Sequence, residues 1–396
     1  MIAVTDPEAE RTAQALVKYR RDFRAFSKEQ LKLNGQPLDF WPCQTKLVES
    51  IERQFEEKGY ARCIWLKARQ TGGSTLAQAF IAWRTLLWPH VNSIVIADQA
   101  ERSKTLFNIS KSFYEQMDDY IRPVGRYATK SELVLANPSG ITRSADPGLR
   151  SRIVVDSAHK KNIAIGSNWQ NAHLSECARF PDPRFVLDGI IPAVHLVPGT
   201  LIILESSAEM AGHWYRDYCE EAEKGKSAFD FQFVEWWLQP EYFICPVCNS
   251  NICVSRDHMR QALRILDPTA DERHLMANHA LQPGHINWMR IKMLEMMNDW
   301  ELFQQSYPFT PDSAWITPGS MAFPMKALRD QRENIRNPKR VAEVFAGPRV
   351  VDSLHGRLSI WKEPEATKKY DIAVDIALGI GKDESEVSPE ELKTRD

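Results

Sequence analysis

The sequence predicts an α/β fold built on a largely parallel sheet with flanking helices, and three observations carry that expectation. Ile64 to Lys67 is a short apolar strand that runs through a Gly72-Gly73 turn into a helical segment from Leu76 to Leu87. Ser93 to Ala97 repeats the pattern, with a helix following from about Ala100 to Met117, and strand-helix-strand-helix at this spacing argues parallel strands joined by crossover helices. Leu201 to Leu204 is apolar on both faces, as a central strand covered from both sides requires.

At 396 residues the chain suggests two or three units of about 100 to 200 residues each. Hydrophobic residues at 43% allow full cores, and a formal charge of −2 means that any nucleic-acid surface must be a local basic patch. No apolar run approaches the roughly 20 residues of a membrane span, and Met1 to Arg20 lacks the apolar centre of a signal peptide, so a cytosolic protein is expected. Seven cysteines in such a chain point to thiols or metal rather than a disulfide framework. The 12 tryptophans read as large core and interface residues.

Taken in order, Asp6 to Leu33 is charged with spaced apolar positions, a helical pattern with a polar face and hence an N-terminal arm. Asn34-Gly35-Gln36-Pro37 is a turn, after which Phe40-Trp41-Pro42-Cys43-Gln44 opens a helix through Phe55. An aromatic pair and Gln44 suit adenine, by stacking and a bidentate amide; equally, Phe40 and Trp41 staple the helix start and Gln44 is solvated.

From Lys67 the chain reads Lys-Ala-Arg-Gln-Thr-Gly-Gly-Ser-Thr75. Glycine-freed backbone amides and a helix N-terminus can surround polyphosphate, and a hydroxyl at the helix start can hold Mg2+. Lys67, Arg69, Gln70, Thr71, Gly72, Gly73, Ser74 and Thr75 are the residues on offer. Against the usual G-x-x-x-x-G-K-[ST] pattern, Gly73 stands where the lysine belongs and Lys67 where the first glycine would be. A plain strand-turn-helix is the alternative.

Further along, Leu133 to Leu135 and Ile153 to Val155 are short strands flanking a polar loop with Arg143, Arg150 and Arg152, any of which could serve transferring phosphate or simply face solvent. Asn171 to Glu176 is a strand ending in an acid, where an ATPase places the carboxylate that orients attacking water. An aspartate usually precedes that acid; here it is Ser175, which leaves Glu176 as the catalytic candidate. The strand at Leu201 ends in Glu205-Ser206-Ser207, hydroxyls that either face a ligand crevice or cap the next helix.

Cys245, Cys248, Cys253 and His258 have the spacing C-x2-C-x4-C-x4-H, four ligands of the type that tetrahedral Zn2+ takes; three thiols in a loop and a helical histidine is the bland alternative. Asn287 to Met297 is helical, with methionines along one side that fill core gaps.

Together, Gln44, the Lys67 to Thr75 loop, Leu174-Ser-Glu-Cys-Ala-Arg-Phe180 and Leu204-Glu-Ser-Ser-Ala208 resemble the large terminase subunit of tailed bacteriophages. The resemblance implies a P-loop ATPase that drives double-stranded DNA into a prohead. It works as a homo-oligomeric ring with a portal protein and a small terminase subunit, in the host cell cytoplasm and without a membrane. It further implies that Gln44 meets adenine, that Lys67 or Arg69 serves the phosphates of ATP, that Ser74 ligates Mg2+, that Glu176 is catalytic, and that Ser206 and Ser207 couple hydrolysis to movement. Glu301 to Trp315 looks like the family's link to its nuclease, and Tyr370 to Gly379 is similar to the first strand of that RNase H-like domain, with Asp375 a metal ligand and Asp383 an auxiliary acid.

The expected organisation is therefore an arm (1–37), a P-loop ATPase domain (38–240), a helical linker with a candidate zinc loop (241–340) and the start of an incomplete RNase H-like domain (341–396). A two-metal nuclease needs several carboxylates converging on ions about 3.5–4 Å apart. The charged stretch after Asp375 does not supply them, so DNA cleavage is not expected of this chain. The rival expectation is a decayed prophage product that binds nucleotide or zinc without turnover.

Overall fold

A computed structural model describes residues 7–139, 146–160, 168–209, 213–315, 338–345, 349–353 and 358–363. The chain divides into two compact units, Met1–Gly319 and Ser320–Asp396.

The first unit begins with α1 (Pro7–Arg21) and α2 (Phe23–Gln30). The helical pattern of Asp6 to Leu33 forms two helices, because the Asp22 carboxylate accepts the Ala25 N–H at 2.8 Å and caps a new start. Tyr19, Phe23 and Phe26 are buried, and Phe23 stacks on Phe80 with ring centroids 3.8 Å apart. A hairpin of β1 (Lys32–Leu33) and β2 (Gln36–Pro37) turns at Asn34-Gly35, both at positive φ as this turn requires.

There follow α3 (Pro42–Lys58), β3 (Ala61–Lys67), α4 (Gly73–Leu87), β4 (Asn92–Ala97) and α5 (Ala100–Glu115). Then come β5 (Tyr127–Ala128), β6 (Glu132–Leu135), β7 (Ser151–Ser157), β8 (Asn171–Ser175), α6 (Pro183–Ile190), β9 (Leu201–Ser206), α7 (Trp214–Glu223) and β10 (Asp230–Val234). These eight strands from β3 to β10 form one sheet in the order β10-β3-β9-β8-β4-β7-β6-β5, parallel from β10 to β7 and antiparallel beyond it.

Successive residues of β3 serve opposite faces, which is why the strand reads as an unbroken apolar run. Cys63 and Trp65 pack with Phe80 and Trp83 under the α1 to α5 layer, whereas Ile64 and Leu66 pack with Val186 and Tyr215 on the α6 and α7 side. All seven β3 residues are buried.

Past β10, α8 (Arg256–Leu266), α9 (Ala270–His279), α10 (Pro283–Glu295) and α11 (Trp300–Ser306) surround an aromatic cluster. In it Trp236 stacks on Trp288 at 5.0 Å, Tyr242 on Trp288 at 4.4 Å, and Phe303, Tyr307 and Phe309 close the rest. Met289, Met293 and Met296 do line this cluster, but Met297 lies past the end of α10, at φ 53 and 91% exposed, because the helix stops at Glu295.

In the second unit, β11 (Arg340–Phe345), β12 (Arg349–Asp352) and β13 (Leu358–Ile360) form a three-stranded antiparallel sheet, order β12-β11-β13.

Candidate functional site

With β9 between β3 and β8, the carboxyl ends of three neighbouring parallel strands deliver Lys67, Glu205 to Ser207, and Ser175 with Glu176 to one crevice edge. Ligands of open α/β sheets bind at such an edge. The loop from Ala68 to Gly72 lies there too, leading into α4, whose N-terminus no side chain caps. Its free amides and positive dipole end suit an anion.

The loop is shaped from several sides. Gln70 and Gly72 both take positive φ, and a Cβ at Gly72 would collide with the Gln44 amide. Gln44 itself accepts the Trp41 N–H at 3.0 Å and donates to the Gly72 carbonyl at 3.0 Å, so its amide ties the helix start to the loop. The Tyr242 hydroxyl donates to the Arg69 carbonyl at 2.7 Å and Arg69 N–H donates to the Ser306 carbonyl at 3.0 Å, fastening the loop to the aromatic cluster. Arg69 and Gln70 are exposed, Thr71 is buried with its hydroxyl on the Ala68 carbonyl, and Ser74 and Thr75 are half-buried.

The misplaced lysine has a geometric account. A Cβ on Gly73 would meet the Lys67 Cδ at 3.1 Å, so the Lys67 stem lies along the bare α-carbon of Gly73. From there the Lys67 ammonium reaches Glu176 Oε1 at 3.0 Å and Glu205 Oε2 at 3.1 Å. Burial alone would lower its pKa, but Glu205 and then Glu176 outweigh burial and hold it above the ordinary lysine range.

Glu176 sits in the left-handed region, φ 55 and ψ 47, where a non-glycine residue is strained by about 1–3 kcal/mol. That turn aims its carboxylate back across the strand ends. Oε1 takes the Lys67 ammonium, while the hydroxyls of Ser207 at 3.2 Å and Ser206 at 3.5 Å donate to Oε2. The two candidate coupling serines therefore touch the candidate catalytic acid directly.

Glu205 was not singled out from the sequence, and it is the most enclosed charge at the site. It is fully buried; Ser74 Oγ donates to its Oε1 at 2.8 Å and His173 Nε2 lies 3.2 Å from the same oxygen. Gln78 Nε2 lies 2.6 Å from His173 Nδ1, and Ser110 donates to Gln78 at 2.7 Å. Burial would raise the Glu205 carboxyl, but Lys67 and His173 override it and hold it well below the usual carboxylate range. A signal existed: a glutamate inside a run as apolar as Leu201 to Leu204 is rarely buried without a partner.

Around the rim, Asp98 pairs with Arg102 at 2.8 Å and Arg179 with Glu209 at 2.6 Å. Arg150 is exposed; Arg152 bonds Asn92 and lies over the Trp169 ring; Arg143 lies outside the described residues. Asp375 and Asp383 also lie outside them.

A second cluster is separate in sequence and kind. The candidate ligand atoms of Cys245, Cys248, Cys253 and His258 all lie within 4.8 Å of one another. Tetrahedral zinc with Zn–S near 2.3 Å sets its ligand sulfurs about 3.8 Å apart, so the set fits. A tight turn brings the first pair together, Asn249 N–H donating to the Cys245 carbonyl at 2.8 Å, and α10 anchors the entry, the Ile244 N–H donating to the Gly284 carbonyl at 3.0 Å. Among the described residues this is the one group of that kind. No helix among them is long and apolar enough to cross a membrane.

No protein-family model matches the chain, and no curated protein matches it. Among solved structures it is similar to the HK97 bacteriophage large terminase, at 16% identity and TM-score 0.49, over 83% of this chain and 62% of that one. It is similar also to the Thermus phage P74-26 large terminase ATPase domain, at 15% identity and TM-score 0.40, over 60% and 92%. A third is the large terminase of the thermophilic bacteriophage D6E in complex with ATP-gamma-S, at 10% identity and TM-score 0.38, over 57% and 49%. The chain thus spans less than two thirds of the HK97 protein's length. Likeness of this degree carries no functional weight by itself; the residues at the strand ends do.

Proposed function

We propose that this chain is the ATP-hydrolysing motor part of a phage large terminase, acting on double-stranded DNA in the host cell cytoplasm. Its partners would be further copies of itself in a ring, a portal protein and a small terminase subunit. The observation that supports this best is Glu176, strained into place with one oxygen on the loop lysine and the other on Ser206 and Ser207.

The loop amides and the α4 N-terminus would take the phosphates of ATP, joined by Lys67 and Arg69. Lys67 would then divide its charge between phosphate and acid, freeing Glu176 Oε1 to accept a proton from the attacking water. Because Ser206 and Ser207 hold the other oxygen, a change at Glu176 is felt at once on β9. Gln44 holds the loop by its Gly72 carbonyl; contact with adenine would need that amide to turn.

Mg2+ fits the site: one ammonium faces two carboxylates, leaving a unit of negative charge enclosed beside the Ser74 hydroxyl. Ser74 would hold the ion, which when bound neutralises charge on the terminal phosphates. Cys245, Cys248, Cys253 and His258 would hold Zn2+ as a structural clasp. Metal analysis of the purified chain should find one zinc, lost in Cys253→Ser; a chain that takes up none on reconstitution returns the four side chains to thiols and an ordinary histidine.

The test of the motor reading is ATP hydrolysis with and without linear duplex DNA, beside Glu176→Gln. Turnover should fall by about 100- to 10,000-fold in the variant, with nucleotide binding retained. Binding without turnover in the wild-type chain favours the decayed prophage product, a reading that Ser175 and Gly73 keep open.

A further inference from the structure

We infer that Glu205, from the strand next to β8, does the work of the aspartate that Ser175 replaces: it positions the Ser74 hydroxyl for Mg2+. This rests on the nucleotide-site reading above. In phosphate-loop enzymes the ion is held by the loop serine or threonine together with an acid ending the strand that precedes the catalytic residue. Here that acid is missing, and Ser175 pairs in register with Glu205 one strand across.

Three features point to the exchange. The Ser74 hydroxyl already donates to Glu205 Oε1 at 2.8 Å, so its proton is committed and its oxygen is left to accept or ligate. Ser175 stands opposite Glu205 in the strand register, so the small residue on β8 leaves room beside the longer acid from β9. The carboxylate is also held from behind by a fully buried chain, Ser110 to Gln78 to His173.

Gln78 Nε2 lies 2.6 Å from His173 Nδ1, and His173 Nε2 lies 3.2 Å from Glu205 Oε1. Oε2 faces the Lys67 ammonium at 3.1 Å and has no aligned hydrogen-bond donor among the described residues. A core that needed only packing would be served as well by an apolar residue, since a buried ion pair seldom stabilises more than its hydrophobic replacement. Glu205 is thus a positioning residue: it touches Ser74, not the nucleotide.

The experiment measures affinity for a fluorescent ADP analogue in Mg2+ and in EDTA, and Mn2+ binding to the ADP complex by electron paramagnetic resonance. Glu205→Gln should weaken Mn2+ binding by about 10- to 100-fold and erase most of the Mg2+ enhancement, while affinity in EDTA stays near wild type. Ser175→Asp with Glu205→Gln, which returns a carboxylate to β8 and keeps one near Lys67, should recover the enhancement. If Glu205→Gln alone does not fold, this double variant carries the test: Mg2+ enhancement there supports the exchange and its loss overturns it. Equal weakening in Mg2+ and EDTA would assign Glu205 a purely structural role. A wild-type chain that binds no nucleotide overturns the site reading itself, whereas wild-type Mg2+ enhancement that survives Glu205→Gln overturns this inference alone.

Discussion

The strand-end site and the cysteine loop both gather four or more polar side chains, yet they are held in opposite ways. Lys67, Glu205 and His173 come from three neighbouring strands, are buried, and stay together because the sheet does. Cys245 to His258 is one short stretch, buried at Cys245 but with Ile252 and Val254 77% and 92% exposed, so beyond the Ile244 to Gly284 bond at its entry it is held by its own turn and would be held by a ligand. In the first case the fold makes the site. In the second, a bound ion would make the local fold.

That contrast can be broken most severely at Lys67. Lys67→Ala leaves two enclosed carboxylates facing each other and should destabilise the first unit by about 3–5 kcal/mol, read from urea unfolding, as well as abolish turnover. A near-neutral result would mean that the charges are far better solvated than their burial indicates.

The acid limb sharpens the comparison through a wall that both regions share. His285 at the start of α10 accepts the Gln282 N–H on Nδ1, and burial lowers its pKa from 6.5 to about 4. The unfolded chain then binds the extra proton first, so this contribution is complete above pH 6.5 and is lost as pH falls toward 4, about 3 kcal/mol in all. His285→Phe should flatten that part of the stability profile. Because Gly284 holds Ile244, protease sensitivity at the cysteine loop should rise over the same range in the wild type.

The smallest effect belongs to the loop itself. Cys248→Ser should move the global unfolding midpoint by about 0.5 kcal/mol or less while exposing residues 245–258 to proteolysis. A large global shift would make the loop part of the core after all.

What could be read from the sequence follows the same division. Strands β3 and β9 are legible because burial on both faces leaves unbroken apolar runs, Cys63 to Leu66 and Leu201 to Leu204, whereas Glu176 follows a strand that carries Asn171, His173 and Ser175 and is singled out only as the acid at its end. Glu205 is not, since it stands beside small hydroxyls at the end of β9 and a side chain's meaning there depends on which strands lie beside it. Strand order is a long-range fact that no local pattern of residues contains. The break between α1 and α2 is local, and it rests on one side chain within a charged pattern: Asp22, whose carboxylate accepts the Ala25 N–H and starts a new helix.

The contact between Gly73 and the Lys67 stem has a consequence for redesign and for motif searching alike. The two positions are coupled in volume: the long cationic stem from the strand end lies in the groove that the bare α-carbon of Gly73 leaves at the helix start. Neither half is neutral without the other: Gly73→Lys alone would drive a second stem into the first, and Lys67→Gly alone would leave a channel beneath the loop. Made together, the two changes would give the order G-x-x-x-x-G-K-[ST], which a search pattern that demands lysine at the helix start does not find in the present sequence.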